Sequence, residues 1–127
     1  LVGPDAESAQ WVEQAARAAG LGWALARKQR HGDRDVSIAL PDADYRNRGV
    51  VLIDDVASTG RTLAVATTQL LERGAASVDV AVTHALFVGD ALAQLRAAGV
   101  RHVWSTDSVP HETNVVSVAP LLAAALR

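Results

Sequence analysis

Val50-Val51-Leu52-Ile53 is a run of four aliphatic residues that passes straight into Asp54-Asp55 and a small polar stretch. Leu63, Ala66, Leu70 and Leu71 then recur at helical spacing. The run reads as a strand buried on both faces of a parallel sheet, and the recurrence as a helix reaching about Arg73 with Gly74 at its end. The same alternation repeats along the chain. Ser8 to Ala19 predicts a helix with Trp11, Val12, Ala15 and Ala19 facing inward and Gly20 as its stop, and Leu21 to Ala26 predicts a strand. Arg27 to Arg34 holds five basic residues counting His31 and reads as an exposed, mobile loop. Val36 to Leu40 reads as a short strand and Pro41 to Gly49 as a turn-rich connection. Ser77 to Thr83, His102 to Thr106 and Val115 to Val118 read as strands. Asp90 to Ala98 reads as a helix closed by Gly99, and Pro120 to Leu126 as a terminal helix with proline in its first turn. This order predicts an α/β fold of three layers, a mostly parallel sheet with helices on both faces, in a single domain over residues 1–127.

Composition narrows the function classes. The net charge is −2, and no run of five like charges occurs, so nothing marks a nucleic-acid or membrane surface. Cysteine is absent, which removes disulfides and thiolate metal sites and fits a cytoplasmic protein. No apolar run approaches the roughly 20 residues that span a bilayer. The chain begins at Leu1 and contains no methionine, so it is expected to be part of something longer. Of its 12 basic residues, 11 are arginine and one, Lys28, is lysine. The three tryptophans, Trp11, Trp23 and Trp104, are expected as core or interface aromatics, and His84 and His102 as packing residues.

The polar stretch after the four-residue run carries the candidate chemistry. Open α/β sheets bind ligands beyond the carboxyl ends of their strands, which is where this stretch falls. Thr59, Gly60 and Thr62 offer hydroxyls and unobstructed backbone N–H groups at a helix start, where unpaired donors and the positive dipole end suit a phosphate. Asp54 and Asp55 are acceptor-only when ionised, which suits the vicinal hydroxyls of a ribose or the waters of a bound Mg²⁺. The whole reads as a binding site for a sugar phosphate, with helix capping by Thr59 and solvated acids as the plain alternative.

Two acids, small residues, Thr-Gly and Thr after a hydrophobic strand resemble the phosphoribosyl-pyrophosphate signature of the type I phosphoribosyltransferase fold. Four further segments narrow the resemblance to the C-terminal half of ribose-phosphate diphosphokinases. Gly3-Pro4-Asp5-Ala6-Glu7-Ser8 with Trp11-Val12 is similar to that family's diphosphate-side loop. Lys28-Gln29-Arg30 resembles the Lys-x-Arg of its flexible catalytic loop. Thr83-His84-Ala85-Leu86-Phe87 and Thr106-Asp107-Ser108-Val109-Pro110 match two of its strand ends. The resemblance implies Mg²⁺-dependent transfer of the β,γ-diphosphoryl group of ATP to the C1 hydroxyl of ribose 5-phosphate, in nucleotide biosynthesis. It implies Lys28 and Arg30 as catalytic charge clamps, Arg30 also touching ribose 5-phosphate, and Asp5 as a Mg²⁺ ligand. Asp54 and Asp55 would hold the ribose hydroxyls, and Ser58 to Thr62 the 5-phosphate. It also implies an N-terminal domain supplying most ATP contacts, assembly into homo-oligomers, and little activity for this segment alone. Asp5 equally suits an N-cap of the first helix.

The loop departs from the commonest family form at Ser58, where Asp is usual, and at Arg61, where Gly is usual. Glu7-Ser8 replaces a Gly-Gly pair. These differences bear on substrate selectivity more than on phosphate binding. Two other readings stand beside the synthetase: a phosphoribosyltransferase that consumes phosphoribosyl pyrophosphate, and a non-catalytic paralogue that regulates a synthetase.

Overall fold

The computed structural model describes residues 1–31 and 35–127. Six strands form one sheet: β1 (Val2–Gly3), β2 (Ala24–Leu25), β5 (Gly49–Ala57), β6 (Ser77–Ala85), β7 (Val100–Thr106) and β8 (Asn114–Val116). They lie in the order β2-β1-β5-β6-β7-β8, and every neighbouring pair is parallel. Four α-helices accompany them: α1 (Ala9–Ala19), α2 (Arg61–Glu72), α3 (Ala91–Ala98) and α4 (Ala119–Ala125). A separate antiparallel pair, β3 (Arg27–His31) and β4 (Asp35–Ala39), follows β2 directly. The expected α/β class is observed. From β1 the chain crosses through α1 to β2 on one side, whereas β5, α2, β6, α3 and β7 step away on the other. Right-handed crossovers in opposite directions place α1 on one face and α2 and α3 on the other.

The main core lies between the sheet and α2 and α3. Val50 and Leu52 of β5, and Val78, Val80 and Val82 of β6, point into it at alternate positions, opposite Leu63, Ala66 and Leu70 of α2 and Ala91 and Leu95 of α3. Each fully buried leucine or valine contributes about 1.5–3 kcal/mol relative to exposure. Thr67 is buried in the same helix and donates its hydroxyl to the Leu63 carbonyl at 2.7 Å, so its burial leaves no unmet donor. α1 packs on the other face, over β1. A Cβ on Gly3 would fall 2.2 Å from Ser8 Oγ and 2.7 Å from Leu25 Cδ2, so only glycine allows α1's first turn to sit this close to the strand.

Several expectations from sequence are corrected. Arg27 to His31 forms a paired strand where a loop is expected: each residue is opposite one of Asp35 to Ala39, and Ile38, paired with Lys28, is anchored in the core. The part of the predicted loop at residues 32–34 lies outside the described residues. The strand expected over Leu21 to Ala26 reduces to Ala24–Leu25. α1 buries Val12 and Ala16; Trp11 and Ala19 are exposed and Ala15 half-buried. Of the two places expected for the tryptophans, the core is not one: Trp11 and Trp23 are exposed and Trp104 half-buried. β5 is longer than the four-residue run and carries Asp54 to Ala57 within it, paired with β6 as far as Ala85. No helix among the described residues is long and apolar enough to cross a membrane.

Candidate functional site

The point where the chain order reverses lies between β1 and β5, and the loops leaving these neighbours diverge to opposite faces. A cleft of about 170 Å³ opens there. Asp5, Lys28, Asp54, Val56, Ala57, the loop Ser58 to Thr62, and Leu63 line it. Residues from four stretches of sequence therefore share one wall. Asp5 comes from the end of β1, Lys28 from β3, Asp54 from β5, and the loop from the junction of β5 with α2. A wider, open depression lined by Asp5, Ala6, Glu7, Arg27, Lys28 and Gln29 adjoins the cleft and shares Asp5 and Lys28 with it. Asp55 is exposed and is not part of the cleft wall. Arg30 continues β3, its backbone opposite Val36.

Local geometry explains each placement. Asp5 accepts the Ser8 N–H at 3.2 Å on Oδ1, while the Ser8 hydroxyl donates to the Asp5 carbonyl at 2.6 Å. Asp5 thus caps the 3-10 turn Ala6–Ser8 that leads into α1, and it reaches the cleft wall as well. Gly60 is the N-cap of α2, with φ +72, a left-handed conformation suited to glycine. Its side of the loop rests on α3: a Cβ there would meet Leu95 at 3.4 Å. The Arg61 N–H donates to Thr59 Oγ1 at 3.5 Å, but the N-cap Gly60 has no side chain to cap α2, so the N–H groups that follow are open to a bound anion.

The acids set the electrostatics. Asp54 accepts the Asp55 N–H at 2.9 Å and Asp55 accepts the Val56 N–H at 2.8 Å. Burial first, and then the adjacent carboxyls of Asp55 and Asp5, push the Asp54 carboxyl up to about 7, against a lowering by the Asp55 N–H. A hydroxyl donor or a divalent cation beside it would relieve that repulsion. Among the described residues no group of three or more His, Asp or Glu forms a metal cage. Asp5 and Asp54 still fit Mg²⁺ held mainly by water and substrate phosphates, an ion that takes only one or two protein carboxylates.

Sequence reasoning missed the support behind the loop. The Leu86 and Phe87 N–H groups donate to the Ala57 carbonyl at 3.1 and 2.9 Å, and the Val88 N–H donates to the Ser58 carbonyl at 3.0 Å. The Thr106 to Pro110 segment is fastened to the end of β6, because Thr106 and Ser108 donate their hydroxyls to the Thr83 carbonyl at 2.7 and 3.0 Å. His84 Nδ1 lies 2.8 Å from Ser108 Oγ, a polar contact in place of the expected apolar packing.

A profile described as phosphoribosyl transferase domain matches residues 1–121. The chain is 34% identical over 126 residues to a ribose-phosphate pyrophosphokinase of Methanopyrus kandleri, covering 99% of this chain and 43% of that protein. It is 30% identical to phosphoribosylpyrophosphate synthetase from Mycobacterium smegmatis, whose crystal structure it matches with a TM-score of 0.79 over 99% of this chain and 43% of that one. Orotate phosphoribosyltransferase from Aeropyrum pernix shares the fold, with a TM-score of 0.61 at 22% identity over 98% of this chain and 63% of that one. The chain spans less than half the length of the curated relatives it matches first.

Proposed function

The chain belongs to the phosphoribosyl transferase domain family, and from that premise we propose that it is the ribose-phosphate-binding, C-terminal domain of a Mg²⁺-dependent ribose-phosphate diphosphokinase. The observation that carries this reading is the convergence of Asp5, Lys28, Asp54 and Ser58 to Thr62 on one cleft at the reversal point of the sheet. The loop and the free N–H groups of α2 hold the 5-phosphate, and Asp54, with Asp55 next to it, accepts from the ribose hydroxyls. The C1 hydroxyl oxygen attacks the β-phosphorus of ATP, the bond from that phosphorus to the α-phosphate oxygen breaks, and AMP departs as the hydroxyl proton is lost. Such a step needs charge neutralisation and alignment more than covalent help. Lys28 stands between the ribose-phosphate cleft and the adjoining depression. That position suits a cation that stabilises the diphosphoryl group in transit, with Arg30 acting beside it. Asp5 would help hold Mg²⁺, largely through water, and the ion would supply further neutralisation of the phosphates. An N-terminal domain, cytoplasmic location and homo-oligomeric assembly belong to the same proposal.

The test is Mg²⁺-dependent formation of phosphoribosyl pyrophosphate from ATP and ribose 5-phosphate by the full-length protein, with Lys28→Ala measured beside it. Turnover by the wild type and a roughly 10²- to 10³-fold lower kcat in the variant are expected, the cost of removing one preorganised charge stabiliser. No synthesis by a wild type that still binds phosphoribosyl pyrophosphate would overturn the synthetase reading in favour of a transferase or regulatory role.

A further inference from the structure

Phe87 carries a backbone conformation that its residue type avoids. Its φ is +37, in a region where bulky side chains are rare, and among the described residues the only other non-glycine with positive φ is Asn47. Something must hold it there. Its ring is buried in the main core and lies 5.0 Å from the ring of His111, tilted by 48°. His111 is itself fixed: its N–H donates to Asn114 Oδ1 at 2.9 Å, and its Nδ1 accepts the Thr113 N–H at 3.2 Å and lies 2.9 Å from Thr113 Oγ1. Asn114 in turn donates from Nδ2 to Ser105 Oγ and to the Thr106 carbonyl, at 2.8 and 2.6 Å. The ring of Phe87 is therefore seated against a segment tied to β7.

The turn that this seating holds faces the phosphate loop. With Phe87 in its strained conformation, three consecutive N–H groups, those of Leu86, Phe87 and Val88, converge on the carbonyls of Ala57 and Ser58. The same turn runs into α3, since the Ala91 N–H donates to the Val88 carbonyl at 3.2 Å, and α3 carries the Ala91 and Leu95 surface on which Gly60 rests. The loop from Ser58 to Thr62 is thus supported from below by residues 86–95. Anion binding by backbone N–H groups tolerates displacements of only about 0.5 Å, so this support sets how well the loop meets a phosphate.

We propose that Phe87 is a positioning residue for the phosphate loop, acting through the Leu86 to Val88 turn and not by touching the ligand. The assignment of its ligand rests on the ribose-phosphate reading above. The experiment compares wild type with Phe87→Gly in the full chain; glycine accepts positive φ without strain but has no ring to seat. Two readouts are taken. Hydrogen exchange at the Phe87 and Val88 amides, whose acceptors are Ala57 and Ser58, is expected to rise at least tenfold, with the α1 amides of Val12 and Ala16 unchanged. The KM for ribose 5-phosphate is expected to rise roughly tenfold with the KM for ATP unchanged, short of the 10²-fold that a 1 Å misplacement can cost. Equal exchange at Phe87 and Val88 in the two proteins, or an equal rise at Val12 and Ala16, overturns the positioning role. If the wild type ignores ribose 5-phosphate, the proposed substrate falls, and the exchange result still decides the role of Phe87. Should Phe87→Gly fail to fold, His111→Ala removes the facing ring from a half-buried site and is expected to raise exchange at Val88 selectively; no change there also overturns the proposal.

Discussion

Two aspartates on neighbouring strands of one sheet meet opposite treatment. Asp79, near the amino end of β6, is almost fully buried and is answered by the chain itself. It accepts from Arg101 Nε and Nη2 at 3.0 and 2.6 Å and from the His102 N–H at 3.0 Å, and it lies 3.0 Å from His102 Nδ1. The Arg101 guanidinium, more than any other group, holds its carboxyl below the usual carboxylate range. Asp54, toward the carboxyl end of β5, is half-buried beside Asp5 and Asp55, and its carboxyl is pushed up instead. A buried charge that the fold neutralises is structural. One left among its own sign at a cleft wall is poised for something from outside, and the difference separates the ends of the sheet into a foundation and a site.

The sharpest way to break this contrast is to neutralise each aspartate and read both activity and stability. On the proposed reading, Asp54→Asn removes the charge and replaces one acceptor oxygen by a donor opposite the ribose hydroxyls, each bond to a charged group contributing about 1.5 kcal/mol, so kcat/KM for ribose 5-phosphate is expected to fall roughly 100-fold. Its thermal midpoint is expected to hold or rise, because a repulsion is removed. Unchanged kinetics in that variant would place Asp54 with the solvated acids and erase the contrast.

Asp79→Ala should give the reverse pattern. The partners are more than half exposed, at 56% for the Arg101 side chain and 54% for that of His102, so water recovers them once the carboxylate is gone. The cost is accordingly below that of breaking a fully buried pair, about 2 kcal/mol of unfolding free energy by denaturant titration. The KM for ribose 5-phosphate is expected to stay within twofold of wild type. A loss of ribose 5-phosphate affinity without a loss of stability would show that the two ends of the sheet are not independent.

How legible these regions are in the sequence differs for physical reasons. The β5 strand, the loop and α2 stand out because four aliphatic residues, two acids and a helical repeat are contiguous, and local chemistry decides them. Of the antiparallel pair, β4 is legible as a strand and β3 reads as a loop. The β3 strand is almost wholly polar and is held by backbone pairing to a partner anchored through Ile38, which no periodicity reveals. The buried face of α1 is legible only in part: Val12 is inward as expected, but Ala16 and not Trp11 or Ala19 completes the face, and the close approach of Ser8 and Val12 to Gly3 that accompanies it is a tertiary contact. Asp79 gave no signal, since Arg101 and His102 lie 22 and 23 residues away on the next strand. Phe87 gave none because nothing local marks a phenylalanine for positive φ. The cleft residues were nameable one at a time, but that Lys28 reaches the wall and Asp55 does not follows only from the fold.

The smallest expected effect separates the two aspartates by pH alone. Asp54 has its folded-state value raised to about 7 from the ordinary 3.8. The stability it adds by holding a proton is complete below about pH 4 and is lost as pH rises toward 7. Asp79 has its value lowered, so the stability from its ionised form is present above about pH 4 and is lost only as pH falls below that. Between pH 4.5 and 7.5, therefore, Asp54 titrates and Asp79 does not. Urea unfolding at these two pH values, without ligand or divalent cation, should show the wild type losing stability relative to Asp54→Asn as pH rises. Asp79 stays ionised across the same interval, so its own carboxyl contributes no such change. Solvent damps the first effect, because the Asp54 carboxyl is only half-buried, but its sign is fixed by burial and by Asp5 and Asp55. A stability difference between wild type and Asp54→Asn that ignores pH would mean that Asp54 is already neutralised by the fold, as Asp79 is, and would remove the electrostatic reason for placing a ligand at the carboxyl end of β5.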